Sequence, residues 1–182
     1  MSQKKNSSSL KPQASSRPLV GIVMGSDTDL PVMTETARML EKFAVPYELE
    51  ITSAHRSPGR TQEYARTARE RGLRAIIVGA GGASHLAGII AAETTLPVVG
   101  VPIASTPLAG MDALLSTVQM PGGVPVAVMA IGKAGAVNAA IFAAEIIALS
   151  DRVLAERLVR YKQELERSVR EKSEKVKRDF KA

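Results

Sequence analysis

The chain of 182 residues has no cysteine, no tryptophan, only two histidines and 3% aromatic residues. Without cysteine, disulfide frameworks, thiol nucleophiles and thiolate metal centres are excluded. With His55 and His85 as its only imidazoles, an all-histidine metal site within one chain is not expected, and no metal is assigned. No uninterrupted apolar stretch reaches the ~18 residues of a membrane span, so no membrane partner is expected. The first 17 residues lack the apolar centre of a signal peptide, which points to a cytoplasmic protein. Scarce aromatics also bear on the formal charge of +6. Residues 1–17 carry four cations and no anion, and from Asp151 onward eleven cations face seven anions. The intervening 18–150 hold nine cations and eleven anions. A nucleic-acid binder is expected to carry its basic stripe on the folded body, interleaved with stacking aromatics, so nucleic acid is not an expected partner either.

What is present, 45% hydrophobic and 23% charged residues, suffices for one domain with a substantial core. Residues 1–17 are rich in Ser and Lys with almost no large apolar residue, the composition of a disordered leader. From Pro18 short apolar runs alternate with helical stretches. The runs are Leu19–Met24, Tyr47–Thr52, Ala75–Val78, Val98–Val101 and Val124–Ala130. The helices are expected over Leu30–Phe43, Gly59–Arg71, Ser84–Glu93, Met111–Val118 and Ala134–Leu149. Strand-length runs each followed by a helix predict an α/β fold: a three-layer, flavodoxin-like parallel sheet in the order 2-1-3-4-5 with helices on both faces. The segment Asp151–Ala182 repeats Leu154, Leu158, Tyr161, Leu165 and Val169 at three- and four-residue steps on a charged background. It reads as a long C-terminal helix that either closes over its own domain or packs on a neighbouring subunit, and its length favours the neighbour.

Ligands of such sheets bind beyond the carboxyl ends of the strands, so the loops there carry the candidate site. In Gly25-Ser26-Asp27-Thr28-Asp29, the hydroxyls of Ser26 and Thr28 beside the free amides of a helix start suit a phosphate. Asp29 would repel a phosphate and suits ribose hydroxyls; helix capping by Ser, Thr or Asp accounts for most such sequences, so this loop alone does not decide. Ser53-Ala54-His55-Arg56-Ser57-Pro58 closes what reads as a buried strand. It offers a proton-exchanging imidazole beside a guanidinium fork for phosphate or carboxylate, or else a solvent-facing polar pair. The third loop runs from Gly79 to Gly88 and has three glycines in four residues, letting backbone amides approach a small ligand. Ser84 stands where a dinucleotide fingerprint needs its third glycine, and the loop follows the third strand rather than the first. His85 is either a helix-start residue or a pocket wall. Gln119–Pro125, with Gly122-Gly123 between prolines, is either a lid or a turn.

Taken together, GSDTD, SAHRSP, GAGGASHLAG, GVPI, GMDALLSTVQMPGGVPV and AIGKAGAVNAA, in this order and at these separations, resemble the class I N5-carboxyaminoimidazole ribonucleotide mutases of de novo purine synthesis. The resemblance covers roughly Leu19 to Leu149. It implies transfer of a carboxylate from the exocyclic nitrogen to C4 of an aminoimidazole ribonucleotide without metal, ATP or biotin, hence no cofactor, and a homo-octamer to which the C-terminal helix contributes. It also implies that His55 is the general acid/base, that Arg56, Ser26 and Thr28 bind phosphate, and that Asp29 binds ribose. Ser53, Ala54, Gly81, Gly82, His85 and Leu86 then wall the base and the migrating carboxylate. The chain departs from the family pattern at Thr28, Leu30, Ser57 and Ala87, where Ser, Trp, Thr and Pro are usual; none removes a group the reaction needs. The related class II enzymes, which carboxylate aminoimidazole ribonucleotide directly with CO2, carry Lys after the histidine, so Arg56 favours the mutase. A non-catalytic nucleotide-binding module on the same fold is the remaining alternative.

Overall fold

A computed structural model describes residues 17–180. Five strands, β1 (Val20–Met24), β2 (Tyr47–Ile51), β3 (Ala75–Gly81), β4 (Val98–Ile103) and β5 (Ala127–Val128), form one parallel sheet in the order β2-β1-β3-β4-β5. Between them run α1 (Leu30–Lys42), α2 (Pro58–Arg71), α3 (Leu86–Glu93) and α4 (Met111–Val118). After β5 come α5 (Lys133–Ala148) and the long α6 (Arg152–Asp179). The expected architecture and strand order are thus present.

Successive side chains of a strand point to opposite faces, and here both faces are apolar. Ile22, Met24, Ile77, Val99 and Val101 pack with α1, α5 and the start of α6. Val23, Ile76, Val78 and Val98 pack with α2 and α3. The result is three layers with β1, β3 and β4 at their centre. Helix α5 meets the sheet through small residues, Ala136, Ala139, Ala140, Ala143 and Ala144, all fully buried. They let it approach closely enough for Thr36 Oγ1 on α1 to donate to Ala136 O at 2.9 Å.

The ends of several elements differ from expectation. β2 lies at the sheet edge and is only partly buried: Leu49 and Ile51 are 49% and 43% exposed, while Glu48 and Glu50 pair with Arg71 and Arg60. β5 shrinks from the expected Val124–Ala130 to two residues, because Pro125 has no N–H to donate and one side of the strand has no neighbour. Pairing continues one step through Met129 N–H to Gly100 O at 2.9 Å. β3 and β4 are longer than expected, reaching Gly81 and Ile103, so Gly79 and Gly81 belong to a strand. The third helix begins at Leu86 rather than Ser84. The expected disordered leader lies outside the described residues except Arg17, whose Nε donates to Arg71 O at 2.7 Å. No helix among the described residues is long and apolar enough to cross a membrane.

The first turn of α5 lies directly against the segment before it: a Cβ at Gly135 would collide with the Ala130 carbonyl group. Alanine gains up to about 1 kcal/mol of helix propensity over glycine, but backbone cannot retreat as a side chain can. Gly135→Ala is therefore expected to destabilise the fold by about 2 kcal/mol net. The midpoint of urea unfolding at fixed protein concentration measures it.

Candidate active site

Neighbouring strands β1 and β3 send their helices to opposite faces, α1 to the α5 side and α3 to the α2 side. Their last mutual tie is Gly25 N–H to Gly79 O at 3.2 Å, beyond which the chains part. A cleft of about 310 Å³ opens there, lined by the loops after β1, β2, β3 and β4.

The β1 loop turns through a single 3-10 turn, Asp27–Asp29, capped at both ends of its box. Thr28 N–H donates to Ser26 Oγ at 3.3 Å, and Ser26 N–H donates to Asp29 Oδ2 at 3.0 Å. The capping reading of this loop is correct, yet Ser26, Thr28 and Asp29 also line the cleft. Asp29 is only 4% exposed; burial pushes its carboxyl above the ordinary 3.8, against backbone hydrogen bonds from Ser26 and Gly25 that pull it down.

Short hydroxyl side chains hold the β2 loop. Ser57 Oγ accepts from Ser53 N–H at 3.0 Å and lies 3.2 Å from Thr52 Oγ1, which lies 2.8 Å from Thr61 Oγ1. Arg56 N–H donates to Ser53 Oγ at 3.1 Å. The frame rests on buried Thr52 and Thr61 and presents His55 and Arg56 outward. Arg56 Nη2 reaches across to donate to Gly25 O at 3.3 Å, which sets a cation beside the hydroxyls of the β1 loop.

In the β3 loop Gly82 (φ +57°) and Ser84 (φ +48°) both take left-handed backbone. Ser84 is tied down by Thr117 Oγ1, which donates to its Oγ at 2.9 Å, and Ser116 of α4 donates to Ala83 O. His85 stands at the start of α3 without making a capping hydrogen bond, and its ring faces the cleft. Its Nδ1 lies 2.7 Å from Nε2 of His55. Leu86, 2% exposed, Ala80 and Ala54 supply the apolar part of the lining.

All the predicted site residues line this cleft except Gly82, which shapes the turn behind it. The Gln119–Pro125 loop is not part of the lining. It is an exposed turn closed by Val124 N–H to Pro121 O at 3.2 Å, with Met120 lying against Gly88 of α3. Its place is taken by Ser105, after β4, which sequence reasoning missed along with Gly25, Ala80 and Ser84. The strand-end rule held the signal: with β4 ending at Ile103, the next loop is the one to read. Gly81 is glycine because a Cβ there would collide with Ser105 Oγ. Among the described residues no three His, Cys, Asp or Glu side chains gather into a metal-binding group.

A doubly wound parallel sheet with an imidazole pair, a guanidinium and several hydroxyls in its switch-point cleft defines an α/β enzyme of small polar molecules. The chain belongs to the AIR carboxylase family, whose model matches residues 19–168. It is 56% identical to the N5-carboxyaminoimidazole ribonucleotide mutase of Pyrococcus horikoshii, over 89% of this chain and 90% of that one. The Bacillus subtilis protein of the same name is 54% identical over 88% of this chain and 99% of that one. Among solved structures, Treponema denticola PurE superposes with a TM-score of 0.79 at 28% identity, covering 88% of this chain and 99% of that chain.

Burial of Asp29 has a thermodynamic sign. A carboxyl whose folded pKa is raised binds its proton more tightly in the folded state, so stability falls as pH rises through the raised value. Asn at this position keeps an oxygen for Ser26 N–H and carries no charge. Asp29→Asn is expected to melt above wild type at neutral pH, with the gap closing below about pH 4, where both states of the wild-type carboxyl are protonated. Melting temperatures across pH check this.

Proposed function

We propose that this chain is an N5-carboxyaminoimidazole ribonucleotide mutase. The observation that carries the reading is one cleft lined by an imidazole, His55, a guanidinium, Arg56, and the hydroxyls of Ser26 and Thr28, in a chain more than half identical to mutases over nearly its full length. The phosphate lies between the guanidinium and the β1 loop, where fixed charge and amide dipoles favour a dianion. Asp29, behind it, accepts from the ribose hydroxyls. The heterocycle then reaches His55, His85 and the apolar wall of Ala54, Ala80 and Leu86.

The reaction breaks one C–N bond and makes one C–C bond. As the bond from the exocyclic nitrogen to the carboxylate opens, its electron pair stays on nitrogen, which takes a proton from His55, and CO2 is released into the cleft. C4 then attacks that CO2, and the proton it loses returns to His55. A group able to hold a proton in one step and give it up in the other meets both needs. Low-exposure walls favour neutral CO2 over a charged carboxylate and hinder its escape to water.

The test is to incubate purified protein with the N5-carboxy ribonucleotide, without ATP or bicarbonate, and follow the C4-carboxylated product. Turnover that requires added bicarbonate and accepts aminoimidazole ribonucleotide would instead mark a direct carboxylase. His55→Asn is expected to retain binding with turnover reduced at least ~100-fold. Arg56→Ala is expected to weaken binding by about 1.5–3 kcal/mol, the value of a charge-assisted contact. An unchanged rate in His55→Asn would end the assignment of His55 as the general acid/base, and only a wild-type protein that binds the ribonucleotide without turning it over would be a binding module.

The proposal extends to a cytoplasmic homo-octamer in which α6 packs on a neighbouring subunit. Leu165, Val169 and Val176 continue the apolar stripe of α6 and are exposed, as are Met111, Leu115 and Val118 along one side of α4. Leu165→Lys with Val169→Lys is expected to shift sedimentation towards smaller species. A wild-type protein that sediments as a stable monomer would overturn the assembly.

A further inference from the structure

His55 and His85, the only histidines of the chain, come from different loops and meet. Nε2 of His55 and Nδ1 of His85 are 2.7 Å apart, and the rings stand at 80° with centroids 4.9 Å apart. At this distance a single hydrogen lies between the two nitrogens, so one ring donates and the other accepts. Both loops that carry the rings are held in place. His85 follows Ser84, clamped by Thr117, and His55 rides on the Thr52–Ser57–Thr61 hydroxyl frame.

We propose that His85 is a positioning residue for His55: the shared hydrogen occupies Nε2 of His55 and leaves Nδ1 as the atom that exchanges protons with the substrate. This rests on the mutase reading above. The proton count is consistent with it. In its acid form the pair carries three N–H hydrogens, one on Nδ1 of His55, one between the rings and one on Nε2 of His85. Giving the Nδ1 hydrogen to the substrate nitrogen leaves a neutral pair in which Nε2–H of His55 donates to Nδ1 of His85. Nδ1 of His55 is then bare and able to receive the hydrogen that C4 loses. Without His85 the neutral ring has no partner to fix either its tautomer or its rotation. Its base form then spends time with the hydrogen on the wrong nitrogen. A histidine that only walls the carboxylate would affect how tightly substrate binds; one that fixes the tautomer affects turnover.

Two variants and one spectrum separate these roles. His85→Ala is expected to lower kcat roughly 10-fold or more, a share of what acid–base catalysis supplies, while KM stays within about threefold. His85→Asn, whose amide oxygen takes the place of Nδ1 as acceptor, is expected to recover most of that loss. The spectrum is nitrogen NMR of untagged protein labelled at histidine, made simple by there being only two. Wild-type His55 in its neutral form is expected to show a protonated Nε2 and a bare Nδ1. In His85→Ala the two nitrogens are expected to move towards averaged values. A rise in KM with kcat unchanged, or a His55 tautomer indifferent to the loss of His85, would overturn the proposal. Full turnover in His55→Asn would overturn the catalytic reading beneath it, a result distinguishable because it involves no change at His85.

Discussion

The site depends on two neighbouring strands whose helices leave in opposite directions. Because α1 crosses to one face of the sheet and α3 to the other, no backbone covers the ends of β1 and β3 beyond the Gly25–Gly79 hydrogen bond. That divergence opens the cleft, and the polar groups that line it enter from the ends of the strands. Ser26 and Asp29 hang from β1, His55 and Arg56 from β2, His85 from β3 and Ser105 from β4. Glycine at position 81 keeps the β3 and β4 loops close, since any side chain there would push Ser105 aside. The sheet core supplies the rigidity: its central strands are buried on both faces, so the loops start from fixed points.

Between those fixed points the loops are stiffened by side chains of two or three atoms. Ser53, Ser57, Thr52 and Thr61 satisfy one another and the backbone across the β2 loop and the first turn of α2. Ser84, in a backbone region that costs a non-glycine residue of order 1 kcal/mol, is held by Thr117. Such short groups lose little rotamer entropy when ordered. Asp29 shows the opposite balance: its buried carboxylate disfavours folding at neutral pH, and its place at the cleft is the physical reason to keep a charge there.

How much of this was legible in the sequence follows from which forces act locally. Ile22 and Val23, or Ile76 and Ile77, are adjacent apolar residues that must face opposite ways in a strand, so a two-sided sheet can be read from them directly. The strand ends that position Ser26 and His55 were readable for the same reason, whereas β3, ahead of His85, runs on to Gly81 through small residues that read as loop. β5 was not, because Val124, Pro125 and Val126 look apolar enough for a strand while its length is set by pairing with β4 on one side only. Ser105 was hidden because Pro102 and Ile103 disguise where β4 stops. The contact between His55 and His85 has no local signature, since thirty residues of helix and strand separate two rings that only the sheet brings together.

Helix α6 poses a balance that the single chain does not close. Its first turns are anchored: Leu154 and Leu158 are buried, Arg157 Nη1 donates to Phe43 O at 2.7 Å, and Tyr161 meets Phe43 edge-on at 5.3 Å. Lys42 Nζ pairs with Glu164 at 3.0 Å, and past that point every described residue except Ser168 is exposed. The remaining turns gain Arg170–Glu166 and Lys177–Glu174, pairs worth about 0.3–0.5 kcal/mol each on an exposed helix. A helix of about 12–15 residues is marginal by itself in water, and a few such pairs do not change that. Yet the stripe persists through Leu165, Val169, Val176 and Phe180, the last three beyond the residue at which the family match ends. Burying one such side chain contributes about 1.5–3 kcal/mol, several times the ion pairs together. In the homo-oligomer proposed above, a second copy of this chain, with its own exposed apolar face on α4, would cover that stripe without any further component.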